Sequence, residues 1–399
     1  MNARIAQYGQ HLVEEDDIAA VCGVLRGDWL TGGPAVGAFE AALCELVGAN
    51  HAIACNSGTA ALYIAARAAG LAPGDTVLVP AVTFLATASA SILAGLDIVF
   101  TDVDPETGLM RVDDAAEALR RARGKRVKAV FPVHLAGQLH RPAELKSFAD
   151  RNGLAVIEDS CHAIGTRYGE PQMAVGACRH SLAACFSFHP VKTIAMGEGG
   201  AVTTNEAAVA ERARLIRNHG MTRDPATFRN TGMAFDARGK ANPWYYEAHE
   251  ISHNFRLSDI NCALGASQLK KIDRFAAARR KLVAHYRERL RPLAPKVVPV
   301  PQCEGVHPVW HLFCVLADFE RIGLERAEFM LRLRAAGVGS QVHYVPVHLQ
   351  PYYRERVPTP DLPGANAYYN RTLSLPLTSA MTTDDVDQVV DTIANLIGQ

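Results

Sequence analysis

Between about residue 50 and residue 205 the chain repeats one pattern, a short apolar run followed by a longer segment with helical spacing. Ile53-Ala54-Cys55 precedes a helix predicted over 58–69, and Val77-Leu78-Val79 precedes one over 83–94. Ile98-Val99-Phe100 leads to 112–123, and Ala129-Val130-Phe131 to 141–151. Ala155-Val156-Ile157 then ends at Glu158-Asp159. Apolar runs without polar alternation suit strands buried on both faces, which is the pattern of a parallel sheet covered by helices. The expected fold is α/β, with a large domain whose mainly parallel central sheet lies between helices. Ligands of such sheets collect in the crevice beyond the carboxyl ends of the strands. The residues just after each apolar run are therefore the candidates for chemistry.

Residues 206–292 read as helix-rich, interrupted by a polar stretch from Thr222 to Ala241 that is expected to form a long surface loop of functional interest. Arg274 to Arg291 reads as one long helix running into Pro292, Pro295, Pro299 and Pro301. The proline cluster divides the chain into a large domain over 1–292 and a smaller C-terminal α/β domain over 293–399. Elements of the latter are expected at Val309–Val315, 325–335, 338–345 and 383–397. With 49% apolar residues in a chain of 399, a sizeable core can form. The 41 basic residues match the 41 acidic ones, so the charge balance gives no support to a nucleic-acid-binding surface. The nine cysteines include no C-x-x-C pair, and no metal site is expected; Cys22, Cys44, Cys55, Cys185, Cys262 and Cys314 read as reduced core residues. The first residues, Met1 to Tyr8, show no hydrophobic signal region, and no apolar run is long enough to span a bilayer. The expected location is the cytoplasm.

Four strand ends carry residues suited to holding a phosphorylated planar ring. After Cys55 comes Asn56-Ser57-Gly58-Thr59-Ala60-Ala61-Leu62, small and hydroxyl-bearing residues that open a helix and leave backbone N–H groups facing the crevice. Ordinary N-capping by Ser57 or Thr59 is the simpler account when this stretch is taken alone. Phe84 follows the next strand and could stack on a ring, although a lone phenylalanine is more often core. Asp159 ends a buried strand, where a carboxylate needs a cationic or donor partner such as a pyridinium nitrogen; capping the next turn is the other account. His162 either bonds a ring substituent or is a satisfied core histidine. Ser187-Phe188-His189-Pro190-Val191-Lys192 then places a lysine among apolar neighbours before Gly197-Glu198-Gly199-Gly200. Loss of hydration there favours the neutral amine, the form that attacks an aldehyde cofactor, although most such lysines snorkel at surfaces. No G-x-G-x-x-G follows a strand and no G-x-x-x-x-G-K-[ST] occurs, which removes the main support for nicotinamide or P-loop nucleotide chemistry.

The cradle, aromatic, aspartate and lysine occur together and in that order, and the combination resembles the fold-type I pyridoxal phosphate enzymes. The matching segments are Asn56–Leu62, Glu158–His162, Phe186–Lys192, Gly197–Gly200 and Asn254-Phe255-Arg256-Leu257-Ser258-Asp259. Together they resemble the DegT/DnrJ/EryC1/StrS family of nucleotide-sugar aminotransferases over nearly the full chain. Three further stretches, His219–Arg223, Trp244–Glu247 and Gln341–Tyr353, are similar to members that act in pseudaminic acid biosynthesis.

The resemblance implies the following roles. Lys192 is the Schiff-base lysine and proton carrier, Asp159 pairs with the pyridine nitrogen, and His162 lies near the ring oxygen. Phe84 stacks on the ring, while Gly58, Thr59 and Ser187 bind the phosphate of pyridoxal 5'-phosphate. Asn254 reaches the phosphate from the neighbouring subunit of a homodimer with shared active sites. Tyr8, Trp29, Leu30, Thr31, His343 and Tyr344 fall in the sugar-nucleotide pocket. Dehydratases of the family carry histidine at the position of Lys192, so a transaminase is implied. The reaction moves an amino group from L-glutamate to the C4 ketone of a UDP-linked 4-keto-6-deoxy-N-acetylhexosamine. A sister transaminase acting on a GDP- or dTDP-linked keto-sugar remains open, as does a cofactor-binding regulator without turnover.

Overall fold

The structure is a computed structural model that describes residues 9–398. Seven strands build the central sheet: β1 (His51–Cys55), β2 (Thr76–Pro80), β3 (Asp97–Thr101), β4 (Val127–Val130), β5 (Ala155–Asp159), β6 (Ala183–Ser187) and β7 (Gly200–Thr204). Their spatial order is β1-β7-β6-β5-β4-β2-β3. All are parallel except β7, which runs antiparallel to β1 and β6.

Successive side chains of a strand point to opposite faces, and the two faces find different partners. Ile53, Val77, Val79, Ile98, Phe100 and Ile157 pack with buried residues of the helices Gly58–Ala68, Leu85–Leu93 and Ala207–Arg217. The alternate residues Leu78, Val99, Val130 and Val156 meet Ala115, Ala118, Leu145 and Phe148 from the helices Val112–Arg121 and Pro142–Arg151. Ala54, Ala184 and Phe186 meet Phe39, Leu43 and Cys262 from Pro34–Val47 and Asp259–Leu269 on that same side. Both faces are thus covered, as the unbroken apolar runs require.

The C-terminal third adds a three-stranded antiparallel sheet, Val297–Pro299, Phe313–Ala317 and Thr372–Leu375, with helices at Arg326–Ala335 and Thr383–Leu396. The long helix Ile272–Arg289 serves two cores. Ile272 and Phe275 join the cluster around Ala184 and Phe186, while Leu282, Val283 and Tyr286 join Phe313, Leu375, Val389 and Ile393. Tyr286 stacks on Phe313 at 4.4 Å and donates its hydroxyl to the Pro376 carbonyl at 2.8 Å.

Two expectations are corrected. Residues 338–345 form no strand; only Val338 and Gln341 make isolated bridges, Gln341 with Ser374, and the chain then turns towards the ends of the parallel strands. Cys22 and Cys44 are only partly buried, because their helices lie on the outside of the molecule, whereas Cys55, Cys185, Cys262 and Cys314 are buried. No helix among the described residues is long and apolar enough to cross a membrane.

The polar stretch from Thr222 onward is an exposed excursion with only a 3-10 turn and one turn of α-helix. It is closed on itself by one carboxylate. Glu247 accepts from the N–H groups of Arg229 (2.8 Å) and Asn230 (2.7 Å), from Tyr245 OH (3.0 Å) and from His249 Nε2 (2.9 Å). Burial works against ionisation there, but these donors outweigh it and hold the carboxyl down at about 2.

Candidate active site

A cavity of about 990 Å³ opens at the carboxyl ends of the parallel strands. Five strand ends supply its floor: Asn56 to Thr59 after β1, Thr83 to Ala86 after β2, Val133 beyond β4, Asp159, Cys161 and His162 at β5, and Ser187, His189, Val191 and Lys192 at the end of β6 and beyond it. The C-terminal third closes it with His311 and residues 341–345.

After β1 the chain enters the helix Gly58–Ala68 through Ser57, whose side chain accepts from Ala60 N–H at 3.1 Å. The capping account of Ser57 is therefore correct. It leaves the N–H groups of Gly58 and Thr59 without an acceptor among the described residues, and both residues line the cavity. A Cβ on Gly58 would lie 2.7 Å from Cβ of Ser187, so only glycine lets the helix start approach the end of β6 this closely. An anion at this point would face free N–H donors, the positive helix end and the Ser187 side chain.

Phe84 is 56% exposed and forms part of the wall, its ring centroid 5.9 Å from that of Tyr344. The core account of this phenylalanine fails. Asp159 is buried, and both carboxylate oxygens are held. Oδ2 accepts from Thr87 Oγ1 at 2.6 Å, and Oδ1 from Cys161 N–H at 3.2 Å. Asp159 thus does cap the next turn, yet its carboxylate also lines the cavity. Thr87 in turn contacts Thr83 Oγ1 at 2.8 Å, so a chain of hydroxyls fixes the carboxylate from behind.

Lys192 reaches the cavity from the loop after β6, its N–H bonded to the His189 carbonyl at 2.8 Å. Burial lowers its ammonium pKa below the usual 10.5, opposed by Cys161 and Asp159. The imidazoles around it are driven towards neutrality. His162 lies well below its ordinary value through burial, with Lys192 and His343 adding to the effect. Burial and Lys192 take His343 down to about 3. His162 Nε2 lies 3.1 Å from Tyr344 OH, and His343 Nδ1 lies 2.7 Å from Ser374 Oγ.

The structure thus brings Gly58, Thr59, Phe84, Asp159, His162, Ser187, Lys192, His343 and Tyr344 around one cavity. Four named residues are not in its lining. Trp29, Leu30 and Thr31 lie on an exposed loop, where Leu30 accepts from Asp259 N–H at 3.0 Å and Thr31 bridges Ser258. Asn254 is exposed beside the cavity, accepting from Asn56 Nδ2 at 3.3 Å through its carbonyl. Tyr8 lies outside the described residues. Sequence reasoning missed Thr87 and His311. Thr87 sits one helical turn after Phe84, a spacing that could have identified it; His311 lies in a run that reads simply as strand.

Comparison with known proteins agrees with this geometry. A sequence model of the DegT/DnrJ/EryC1/StrS aminotransferase family matches residues 11–394. The chain is 35% identical over 393 residues to the spore coat polysaccharide biosynthesis protein SpsC of Bacillus subtilis (strain 168), covering 98% of this chain and 96% of that protein. Among solved structures it resembles Helicobacter pylori PseC, an aminotransferase involved in the biosynthesis of pseudoaminic acid. That match has 28% identity and a TM-score of 0.87 over 99% of this chain and 100% of PseC. DesI in the presence of its TDP-sugar product matches with 29% identity and a TM-score of 0.84, covering 100% of this chain and 94% of DesI. Matched along nearly its whole length by sequence and by shape, this chain belongs to the DegT/DnrJ/EryC1/StrS aminotransferase family, whose members are pyridoxal phosphate-dependent sugar aminotransferases.

Proposed function

We propose that this sugar aminotransferase moves an amino group from L-glutamate to the C4 ketone of a UDP-linked 4-keto-6-deoxy-N-acetylhexosamine, as a step towards pseudaminic acid. The observation that carries the transaminase reading is Lys192, a desolvated amine sharing one cavity with a buried carboxylate and an acceptor-free helix start. The sugar is supported by the resemblance to PseC along the full length and by the segments around His219, Trp244 and His343.

The residues fit pyridoxal 5'-phosphate. The N–H groups of Gly58 and Thr59 with the Ser187 hydroxyl would hold its phosphate, Phe84 would cover a ring face, and Asp159 would face the ring nitrogen. When bound, the cofactor supplies an aldehyde that captures amines and a ring that accepts the electron pair of a broken C–H bond. The chain does the rest. Burial favours the neutral form of Lys192, so Nζ would be the amine that binds the cofactor's aldehyde carbon, the aldehyde oxygen leaving as water. Displaced from that carbon by the amine of a substrate, the same nitrogen would carry a proton to or from the carbon that gains or loses the amino group. Asp159, pinned by Thr87 and Cys161 N–H, would hold positive charge on the ring nitrogen. His162, its pKa held well below the ordinary value, would donate towards the ring oxygen without adding a second cation beside Lys192.

The site also supports a homodimer with shared active sites. Among the described residues the cavity lining includes no arginine and no lysine besides Lys192; of its histidines, His162, His343 and His311 are held neutral, and His189 is the fourth. A nucleotide diphosphate and a dicarboxylic amino donor need more positive charge than that. Asn254 and Arg256 lie exposed on the neighbouring rim and would face the cavity of a second copy, Asn254 offering neutral donors to the phosphate. The nine free thiols, several of them buried, suit a reducing cytoplasm. A second reading, a dTDP-linked keto-sugar, is favoured by the likeness to DesI.

The experiment is incubation with glutamate and the 4-keto product of a UDP-N-acetylglucosamine dehydratase, with C4 assigned by NMR. A 4-amino product formed in preference to products from GDP- and dTDP-linked keto-sugars in competition supports the reading. No turnover of the UDP-sugar beside turnover of a dTDP-sugar would replace it with the second.

A further inference from the structure

Halfway along the helix Ile272–Arg289 lies an arginine that no sequence signal marks. Arg279 is 2% exposed, and no acidic side chain bonds to it among the described residues. It donates instead to the carbonyls of Trp310 (3.1 Å), His311 (3.3 Å) and Leu377 (3.1 Å) and to Ser379 Oγ (3.2 Å). Burial lowers its pKa to about 10, which leaves it charged at neutral pH. A buried cation without a counter-ion is costly, and an apolar side chain would fill such a space more cheaply. The carbonyls it holds lead directly to the cavity.

Trp310 sits in the left-handed region at φ +61, as does Ala136 at φ +58, conformations that ordinary side chains resist. The two segments meet. His311 N–H donates to the Ala136 carbonyl at 3.2 Å, and Ala136 N–H donates to His162 Nδ1 at 3.3 Å. A Cβ on Gly137 would lie 3.1 Å from the His162 carbonyl and 3.4 Å from Trp310 N, so glycine there allows the close approach. The His311 ring lies on the His162 ring, with centroids 4.4 Å apart. A backbone N–H only donates, so His162 Nδ1 must present a lone pair, and the neutral ring carries its proton on Nε2. That nitrogen faces Tyr344 OH and the cavity.

We propose that Arg279 is a positioning residue: by gripping the Trp310 and His311 carbonyls it seats His311 against His162 and fixes the His162 ring as an Nε2–H donor into the active site. The use made of that donor rests on the cofactor reading above; the tie itself does not.

Three variants test it. Arg279→Met removes every donor, Arg279→Lys keeps a cationic donor, and His311→Leu keeps the grip on the backbone but removes the ring whose contact holds the His162 imidazole on the Ala136 N–H. In apoenzyme labelled with 15N-histidine, the ring signals of His162 are assigned by their loss in His162→Gln. They should report one Nε2–H tautomer in the wild type and an averaged mixture in folded Arg279→Met and in His311→Leu. In the loaded enzyme both variants should alter the visible circular-dichroism band and lower kcat about tenfold, with KM for the sugar changed less than about threefold. Arg279→Lys should recover part of each, and the double variant should be no worse than either single one. Unchanged His162 signals in folded Arg279→Met, or losses that multiply in the double variant, would overturn the proposal. If Arg279→Met does not fold, His311→Leu decides alone, and an unchanged tautomer there is fatal. Should the protein bind no pyridoxal phosphate, the cofactor reading fails while the apoenzyme spectra still judge the tie.

Discussion

Replacing Asp159 by asparagine isolates the charge of this carboxylate from its shape. In the wild type Thr87 donates to Oδ2 at 2.6 Å, which leaves Thr83 to donate to Thr87 across 2.8 Å. Cys161 N–H donates to Oδ1 at 3.2 Å. An asparagine can keep its oxygen on Cys161 N–H, because that donor cannot reverse. Its amide nitrogen then points at Thr87, whose hydroxyl can accept from it, go on accepting from Thr83 and turn its own hydrogen to the Phe84 carbonyl, 3.5 Å away. The Thr87 hydroxyl reorients and Thr83 keeps its acceptor, so the apoenzyme should lose no more than about 1 kcal/mol of stability. The charge opposite the ring nitrogen is lost outright. Removing one partner of a buried ion pair costs about 3–5 kcal/mol, which corresponds to a hundred- to several-thousand-fold in rate. Single-turnover kinetics of the glutamate half-reaction should show that loss in Asp159→Asn, with cofactor retained and the apoenzyme Tm close to wild type. A loss of about tenfold or less, some 1.4 kcal/mol, would mean that Asp159 acts only as a cap of the turn. A collapse of Tm would refute the reorientation of the Thr87 hydroxyl.

Lys192→Ala should hold pyridoxal phosphate without a covalent bond and catalyse no transamination, while borohydride treatment of the wild type should leave the cofactor attached at Lys192; attachment at another lysine overturns the assignment. Because the folded-state pKa of Lys192 is depressed, the unfolded chain binds more protons between that value and 10.5, and stability rises with pH across that window. Lys192→Met apoenzyme should therefore melt above wild type at neutral pH, with the gap narrowing as the pH approaches 10.5; a lower Tm at neutral pH contradicts the burial argument. Gly58→Ala places a Cβ 2.7 Å from that of Ser187 and should weaken cofactor retention at least about tenfold, read by equilibrium dialysis. Mixed Lys192→Ala and Asn254→Ala subunits should regain part of the activity that each lacks alone, since one hybrid site would carry both native residues; an Asn254→Ala enzyme as active as wild type removes the basis for sharing.

The strands were legible because burial on both faces leaves an unmistakable trace: every residue of Thr76–Pro80 is buried. The strand-end residues were legible because the fold carries each parallel strand to the same rim. What escaped depends on contacts between distant segments. Arg279 sits beside Arg280 in a helix rich in basic residues, and nothing local separates the buried arginine from its exposed neighbour. His311 becomes a cavity residue only because Trp310 and Ala136 adopt left-handed conformations that pair across the molecule. Residues 338–345 have the composition of a strand, yet from Gln341 on they are drawn to the cavity wall, and the segment keeps no more than isolated bridges such as Gln341 to Ser374.

The carboxylate of Glu247 draws both sides of its excursion together before the chain rejoins the body of the protein at β-bridge partners Asn218 and Asn254. Segments bound in this way behave as exchangeable cassettes. Met233, Trp244 and Tyr246 ride on its outside, largely exposed, and none of them contributes to the packing of the central sheet. Their identities can therefore drift without loosening the strands that carry Asp159 and Lys192. Sequence change has, in this excursion, a place to accumulate that leaves the residues lining the cavity untouched.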